Sequence, residues 1–386
     1  MYVPTRIIFG AGELDNLHTQ TMPGRKALLV ISNGKSTREN GYLSRVEEQL
    51  RMAGTDFVLF DRIEPNPLKS TVMAGAKHAR ENGCDFIVAL GGGSVMDCSK
   101  AIAAMATNEG DIWDYISGGT GKARPVKNAP LPIVAITTTA GTGSEVDQWG
   151  VITNDETHEK IGFGGIDALF PVLAVVDPQT MTSVPPHFTA YQGFDALFHS
   201  VECYISRFAN LMSDMYALTA IENISRNLPR AVADGNDMEA RTRVAFGNTL
   251  SGVAMTVATT TSQHSLEHAM SAYHQQLPHG AGLIMISKAF FSHFIEHHGC
   301  DERFVRMAQA MGMENASRPE DFIVMLDKLQ RECGVADLKM SDYGIVPEEF
   351  ETIAVNARET MGGLFASDRI QLSTTDCVKI LRESYR

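Results

Sequence analysis

The chain contains 386 residues, of which 44% are hydrophobic, and it carries a formal net charge of −13 at pH 7. Because a single hydrophobic core rarely grows beyond about 250–300 residues, this length predicts two domains. The acidic balance and the lack of long basic stretches argue against nucleic acids or anionic membranes as partners. The longest apolar runs have the length of core strands, well short of the roughly 20 residues that a membrane span needs.

The N-terminal segment M-Y-V-P-T-R-I-I-F-G lacks the charged and apolar regions of a secretory signal, and its pattern is typical of a strand. The six cysteines are scattered and form no C-x-x-C motif, which argues against a disulfide framework or a zinc ribbon. We therefore expect a cytoplasmic protein with reduced thiols.

The first half of the chain alternates apolar runs of strand length with segments of helical periodicity. Strands that alternate with helices predict a parallel α/β sheet. The predicted strands are residues Ala27–Ile31, Phe57–Phe60, Asp85–Leu90, Leu131–Ile136 and Val172–Asp177, and the predicted helices are Tyr42–Ala53 and Val72–Asn82.

The pattern changes after Pro185 and Pro186, where long segments with a 3.6-residue period begin. The first three run over Ala190–Arg207, Leu211–Ala231 and Glu239–Ala258. We therefore predict an α/β domain over residues 1–182 and an all-helical domain over residues 183–386.

Two small-residue loops follow predicted strands. The first is L90-G-G-G-S-V-M-D-C-S-K100 and the second is T137-T-T-A-G-T-G-S-E145. Glycines let the backbone approach a phosphate, and the free N–H groups of a following helix face the anion. Two such loops at the carboxyl ends of neighbouring strands would bind a nucleotide. The alternatives are a tight β–α turn for the first loop and a polar surface loop for the second.

Asp195 and His199 are four residues apart, so in a helix they lie one turn apart on one face. Four histidines follow at positions 264, 268, 274 and 279, and His279 stands between a proline and a glycine, which predicts a turn. A carboxylate with three imidazoles suits Fe, Zn, Mn or Co better than Ca or Mg. The alternative is an ordinary surface pair of an aspartate and a histidine.

A metal site together with a dinucleotide site indicates hydride transfer with Lewis-acid activation. In the order of its motifs the chain resembles the iron-containing (group III) alcohol dehydrogenases, and within them the butanol-dehydrogenase-like branch. The motifs that carry the resemblance are P4-T-R-I-I-F-G-A-G12, G34-K-S-T-R-E-N-G41, E64-P-N-P67, G91-G-G-S-V-M-D97, T137-T-T-A-G-T-G-S-E145, V176-D-P178, G193-F-D-A-L-F-H-S-V-E202 and P278-H-G280.

The resemblance implies a Rossmann-like dinucleotide-binding α/β domain at the N-terminus and an all-α metal-binding domain at the C-terminus. It assigns the metal to Asp195, His199, His264 and His279, and it places His268 near the nicotinamide and the substrate. The predicted cofactor-binding residues of this kind are Asn66, Gly92, Gly93, Ser94, Asp97, Thr138, Thr139, Thr142, Val151, Lys160 and Met181.

The implied activity is that of a metal-dependent NAD(P)-linked alcohol dehydrogenase or aldehyde reductase, in which hydride passes between nicotinamide C4 and a metal-bound primary alcohol or aldehyde. Fe²⁺ is the expected ion, with Zn²⁺ or Mn²⁺ as alternatives. His268 is a candidate proton relay, because the ordinary pKa of histidine lies near neutral pH. The resemblance also implies a homodimer.

The loop that follows the predicted strand Ala27–Ile31 indicates which nicotinamide cofactor would bind. An acidic residue there would bind the adenosine ribose and repel a 2′-phosphate. The loop S32-N-G-K-S-T-R38 has no carboxylate before Glu39, and Asn33, Gly34, Lys35 and Ser36 offer phosphate-binding groups. We therefore expect NADP(H) in preference to NAD(H).

The chain departs from the family pattern at several positions. His279 lies fifteen positions after His264, one more than expected, and His274 between them is an alternative ligand. Glu267 is an unexpected charge beside His268, and it could alter the titration of that histidine. Asp147 and Trp149 are unusual for the family, and we expect both near the cofactor or the substrate.

Three other interpretations remain open. His293 and His297 with Glu296 resemble a second metal site, although an amphipathic surface helix explains them better. A zinc-dependent enzyme of the dehydroquinate synthase or glycerol dehydrogenase type, acting on a cyclic or polyol substrate, would have the same fold, but we expect one aspartate and two histidines there. The third interpretation is a non-enzymatic nucleotide-binding or assembly protein.

Overall fold

The structure, a computed structural model, describes all 386 residues. It forms two compact units. The α/β unit contains Tyr2–Thr157 and Ile161–Val184, and the helical unit contains Pro185–Arg386 with Met1 and His158–Lys160.

The α/β unit is built around a six-stranded sheet in which every pairing is parallel. The strand order is β1-β8-β5-β4-β2-β3, and β6 and β7 form a separate two-stranded sheet that was not predicted from the sequence. The strands are β1 (Arg6–Phe9), β2 (Lys26–Ser32), β3 (Asp56–Ile63), β4 (Phe86–Gly91), β5 (Ile133–Thr137), β6 (Trp149–Asn154), β7 (Glu159–Gly164) and β8 (Leu173–Val176). The helices of this unit are α1 (Ser36–Glu39), α2 (Tyr42–Met52), α3 (Lys69–Glu81) and α4 (Gly93–Thr107).

The central strands β4, β5 and β8 are buried along their whole length. Parallel strands covered on both faces carry continuous apolar sequence, which is why these runs could be predicted. In the register of β4 with β5, Gly91 lies opposite Thr137. The two small-residue loops therefore leave neighbouring strands at the same edge of the sheet, as the sequence analysis expects.

The helical unit contains ten α-helices and no strand of the six-stranded sheet. They are α5 (Pro186–Ile205), α6 (Leu211–Ala233), α7 (Met238–Val257), α8 (Ser262–Tyr273), α9 (His279–Glu296), α10 (Asp301–Ala310), α11 (Glu320–Glu332), α12 (Phe350–Thr360), α13 (Gly362–Phe365) and α14 (Thr374–Ser384). The predicted fold class, an α/β domain followed by an all-α domain, is confirmed. No helix of the protein combines the length and the apolar content that crossing a membrane requires.

Local sequence explains where the long helices begin. Pro186 is the first residue of α5, a position where the missing N–H of proline costs nothing. Asn210 caps α6 by accepting from Met212 N at 3.0 Å and Ser213 N at 3.2 Å. The side chain of Asp237 accepts from Ala240 N at the start of α7.

Candidate functional site

Helix α5 places Asp195 and His199 in the interior of the helical unit. Both side chains are at least nine-tenths buried, and His199 Nδ1 lies 3.3 Å from Asp195 Oδ1. The helix is apolar around most of its circumference, so most of its residues are buried. The alternative of a surface pair is therefore wrong.

Helices α8 and α9 bring two further imidazoles to the same carboxylate oxygen. His264 Nε2 and His279 Nε2 each lie 3.5 Å from Asp195 Oδ1. Three imidazole nitrogens from three helices thus converge on one oxygen. These separations are longer than ordinary N–H···O hydrogen bonds.

This spacing fits a metal ion. Ligand atoms bound at about 2.1 Å in tetrahedral geometry stand about 3.4 Å apart. Asp195 Oδ1 and His264 Nε2 are both buried and have no hydrogen-bond partner, an arrangement that costs free energy unless something binds them. An oxygen and imidazole donor set of this kind suits Fe²⁺, Zn²⁺ or Mn²⁺.

The potential donors form two adjoining groups, each with ligand atoms within 4.8 Å of one another. The first contains Asp195, His199 and His264, and the second contains Glu267, His268 and His279. His279 connects the two groups, because its Nε2 faces Asp195 and its Nδ1 faces Glu267.

Two buried carboxylates contact the outer nitrogens of these histidines. Glu202 contacts His264 Nδ1, and Glu267 contacts His279 Nδ1. Glu202 was not predicted from the sequence as a site residue, although it lies three residues after His199 and hence on a neighbouring part of α5. Glu267 was expected to affect its neighbour His268, whereas the carboxylate of Glu267 contacts His279.

The charges of the group are strongly coupled. Burial opposes ionisation of Asp195, but the neighbouring His199 and His279 lower its pKa well below the usual range. Burial also opposes protonation of His264, yet Glu202 and Asp195 raise its pKa to about 10. The pKa of His279 is raised for the corresponding reason, with Glu267 as the main opposing influence to burial. These shifts favour the ionised form of Asp195 and the protonated forms of His264 and His279 in the metal-free protein.

The pKa of His268 shifts in the opposite direction from those of His264 and His279. It is buried, and burial together with the nearby Lys160 lowers its pKa well below that of ordinary histidine. Its ring centre lies 5.2 Å from that of His279 and 6.2 Å from that of His264. Its Nδ1 contacts Met361 Sδ at 2.8 Å. His268 is therefore an uncharged imidazole next to the converging histidines.

The segment around His279 differs from the sequence-based expectation. Pro278 and Gly280 do not make a turn, because Pro278 caps α9 and His279 is the first residue of that helix. A Cβ at position 280 would overlap the carbonyl oxygen of Tyr191, so glycine lets α9 approach α5 closely. His274, the alternative ligand, instead contacts Glu349 Oε2 through Nε2 at 3.1 Å and belongs to neither donor group.

The two small-residue loops of the α/β unit pack directly on each other. A Cβ at Gly92 would lie 2.8 Å from Thr139 Cγ2, and a Cβ at Gly93 would overlap Thr142. Glycine is thus needed for this close approach. The structure brings these four predicted cofactor-binding residues together at the start of α4, with Ser94 next along the helix. Thr138 N donates to Gly91 O at 3.0 Å, which joins the second loop to the end of β4.

A buried polar network lies beneath the loops. Asp97 accepts from Ser144 Oγ at 2.8 Å and from Val151 N at 2.9 Å, and burial raises its pKa to about 6. Lys100 Nζ lies 2.7 Å from Asp147 Oδ1, and both side chains are almost fully buried. Asp147, expected near the cofactor or the substrate, is therefore paired with a lysine inside the unit.

The other predicted cofactor residues are dispersed. Asn33, Gly34, Lys35 and Ser36 are exposed, Met181 is buried, and Asn66 has a positive φ of 55°. Lys160 belongs to the helical unit, where its Nζ lies 2.9 Å from Ser271 Oγ and 3.6 Å from Glu267 Oε2.

The structure also shows the surroundings of Trp149 and of the pair His293 and His297. Trp149 is 44% exposed, and its ring lies against Gly165. His293 is buried whereas His297 is exposed, so the interpretation of both as surface residues is only half correct. Neither belongs to a group of three potential metal donors.

Comparison with known proteins shows to which family the chain belongs. The model of the iron-containing alcohol dehydrogenase family matches residues 4–178. The model described as the C-terminal part of the Fe-containing alcohol dehydrogenase family matches residues 189–385. The chain belongs to the iron-containing alcohol dehydrogenase family.

Individual relatives cover nearly the whole enzyme. A choline dehydrogenase of Bacillus subtilis is 34% identical over 92% of this chain and 88% of its own. A probable NADH-dependent butanol dehydrogenase of the same species is 33% identical over 99% of this chain and 98% of its own. The crystal structure of an archaeal halo-thermophilic alcohol dehydrogenase from a Red Sea brine pool superposes with a TM-score of 0.94, at 33% identity and over 99% of this chain and 98% of that one.

The family membership confirms the resemblance derived from the motifs. The enzyme is an oxidoreductase of the alcohol dehydrogenase type that uses a metal ion and a nicotinamide cofactor. Neither the glycerol-dehydrogenase-like interpretation nor the non-enzymatic one is favoured.

Proposed function

We propose that the enzyme transfers hydride between a nicotinamide cofactor and a primary alcohol or aldehyde at a single divalent metal ion. Asp195, His199, His264 and His279 hold that ion. The observation that carries the proposal is the convergence of three imidazole nitrogens within 3.5 Å of Asp195 Oδ1. His274 is not a ligand in this proposal, since its imidazole is engaged by Glu349.

The chain's own residues suit this reaction. A divalent ion, when bound, supplies Lewis-acid polarisation of the substrate oxygen and lowers the pKa of an alcohol. Asp195 is the one anionic ligand, so the four residues leave a net positive charge on a divalent ion and preserve its Lewis acidity. Fe²⁺ is the proposed ion, with Zn²⁺ and Mn²⁺ as alternatives that the same donors accept.

His268 is the proposed proton relay. It lies beside His264 and His279 but is not one of the proposed ligands, so its imidazole remains available to the substrate. As an uncharged base it accepts a proton from an alcohol in the oxidative direction and returns one in the reductive direction.

The proposed binding site for the cofactor's pyrophosphate consists of two loops. One contains Gly92, Gly93 and Ser94, and the other contains Thr138, Thr139 and Thr142. They lie at the N-terminus of α4, a helix of 15 residues whose first N–H groups favour an anion. Asp97 and Val151 belong to the network beneath these loops, and Asn66, Met181 and Lys160 complete the proposed set.

We infer that the enzyme prefers NADP(H) to NAD(H). Asn33, Gly34, Lys35 and Ser36 are exposed, and the nearby carboxylate of Asp61 is paired with Arg38. The relative from Bacillus subtilis named as NADH-dependent gives no support to this choice. The ratio of kcat/KM for NADPH and NADH measures the preference, and a strong preference for NADH would refute it.

The proposed activity is tested with enzyme purified without oxygen, assayed on a panel of aldehydes with each nicotinamide, before and after removal of metal by a chelator. We expect aldehyde-dependent oxidation of the cofactor that disappears on chelation and returns with added Fe²⁺. We also propose that the enzyme works in the cytoplasm, which is consistent with its six free cysteines, and that it forms a homodimer. Light scattering on a size-exclusion column measures the oligomeric state.

A further inference from the structure

Glu267 is buried next to two of the proposed ligands without being one of them. It follows His264 by three residues on α8, and its side chain is fully buried. One carboxylate oxygen contacts His279 Nδ1 and lies 3.6 Å from Lys160 Nζ. Lys160 is itself held by Ser271 Oγ at 2.9 Å, one helical turn beyond Glu267.

The contact with Glu267 determines which nitrogen of His279 is available for a metal. A carboxylate that accepts a hydrogen bond from Nδ1 requires the proton on that nitrogen. The Nε2 lone pair then faces Asp195 Oδ1, from a distance of 3.5 Å. Carboxylates in this position orient metal-binding histidines and raise their basicity.

His279 depends on a carboxylate to hold its ring in place more than His199 and His264 do. Its side chain is 22% exposed, against 4% for His264 and 9% for His199. It also occupies the first position of α9, where only one side of the residue is supported by helix. Packing alone therefore restrains the ring of His279 less than it restrains the other two.

The neighbouring helix leaves space for this carboxylate. Gly282 lies one turn after His279 on α9, and a Cβ there would stand 2.7 Å from Glu267 Cγ and 2.9 Å from Glu267 Oε1. Glycine at position 282 thus lets Glu267 reach His279.

We propose that Glu267, secured by Lys160, is a positioning residue that holds His279 in its metal-binding orientation. The proposal rests on the proposed function, since it concerns a ligand of the proposed metal. A second metal ion bound by Glu267, His268 and His279 is the competing interpretation of the same residues. The ammonium group of Lys160 opposes it, because a cation beside Glu267 would be repelled.

The test compares Glu267→Ala and Glu267→Gln with the wild type. Glu349→Gln is the matched control, because Glu349 contacts His274 outside both donor groups. Metal-free protein is titrated with Co²⁺ in competition with a chromophoric chelator, and the visible absorption of the bound Co²⁺ is recorded. Circular dichroism and binding of the nicotinamide cofactor show that each variant is folded.

We expect Glu267→Ala to bind Co²⁺ about 10-fold to 100-fold more weakly with an altered visible spectrum. Glu267→Gln, which can still accept from Nδ1, should retain more affinity than the alanine variant, and Glu349→Gln should match the wild type. Wild-type affinity and spectrum in Glu267→Ala would overturn the proposal, as would a second Co²⁺ per chain that this variant loses. If the wild type itself binds no Co²⁺, the proposed function fails rather than the role of Glu267.

Discussion

Glu202 joins His264 to the beginning of the helix that carries it. One carboxylate oxygen contacts His264 Nδ1, and the other accepts from Thr261 N and Thr261 Oγ1, both at 2.7 Å. Thr261 immediately precedes α8, so a single buried side chain on α5 fixes both the start of the helix and the orientation of its first histidine. The proposed metal site and the packing of α5 against α8 therefore depend on the same residue.

Replacement of Glu202 should impair both properties. Glu202→Ala leaves the buried N–H of Thr261 and Nδ1 of His264 without their acceptor, so we expect lower stability and metal affinity reduced by about 10-fold to 100-fold. Thr261→Val is the control, because it removes one hydrogen bond and should cost only about 1 kcal/mol. Denaturant unfolding and Co²⁺ titration measure the two effects, and equal metal affinity in both variants would contradict this role.

His279, the first residue of α9, and His274, which directly follows α8, should respond differently to substitution. His279→Ala should lose most of its metal, because the His279 Nε2 that faces Asp195 is removed. His274→Ala should retain the metal, since His274 contacts Glu349 instead. Elemental analysis of both variants, purified in parallel without oxygen, makes the comparison. The opposite pattern would assign the fourth ligand to His274.

His268 should matter for turnover but not for metal content. The His268→Ala variant should bind metal like the wild type and lose roughly 100-fold in kcat, the lower range for general acid–base catalysis. Its pH–rate profile should also change, because proton transfer would then depend on solvent. An unchanged kcat and profile would exclude the relay.

Asp368 provides a pH-dependent contribution to stability. It is buried, accepts from Ser262 N at 3.2 Å, and has a pKa raised by burial from 3.8 to about 8. Between these pH values the folded protein holds a proton that the unfolded chain releases. The stabilising contribution is therefore complete below about pH 4 and is lost as the pH rises to about 8.

The Asp368→Asn variant cannot ionise and should lack this dependence. The difference in unfolding free energy between variant and wild type should shift in favour of the variant by up to about 1.4 kcal/mol per pH unit in that range. Denaturant unfolding of the metal-free proteins across the range measures it. Parallel stability curves for the two proteins would show that Asp368 does not titrate there.

The features that could be predicted from the sequence are those formed by residues close together in the chain. The buried strands β4 and β5 are continuous apolar runs, and the glycines and threonines that follow them mark the loops directly. Asp195 and His199 share a helix face by spacing alone. The order of these motifs was then specific enough to identify the family.

Relationships between distant residues could not be predicted in the same way. Glu202 and His264 are separated by 62 positions, so their contact depends on how α5 and α8 pack. Lys100 and Asp147 are likewise paired only through the fold. Pro278 and Gly280 carry the residue types of a turn, but the same types also suit a helix start that approaches another helix closely. The strands β6 and β7 lack the long apolar runs by which the other strands were found.

The most direct test of the proposed metal centre compares the metal content of the wild-type enzyme with that of its Asp195→Ala variant, both purified without oxygen. Asp195 is the decisive residue because all three imidazoles converge on its Oδ1. Elemental analysis should find one divalent metal ion per wild-type chain and almost none in the variant. A wild-type enzyme that is active without metal, or an Asp195→Ala variant that keeps a full equivalent, would contradict the proposed metal centre.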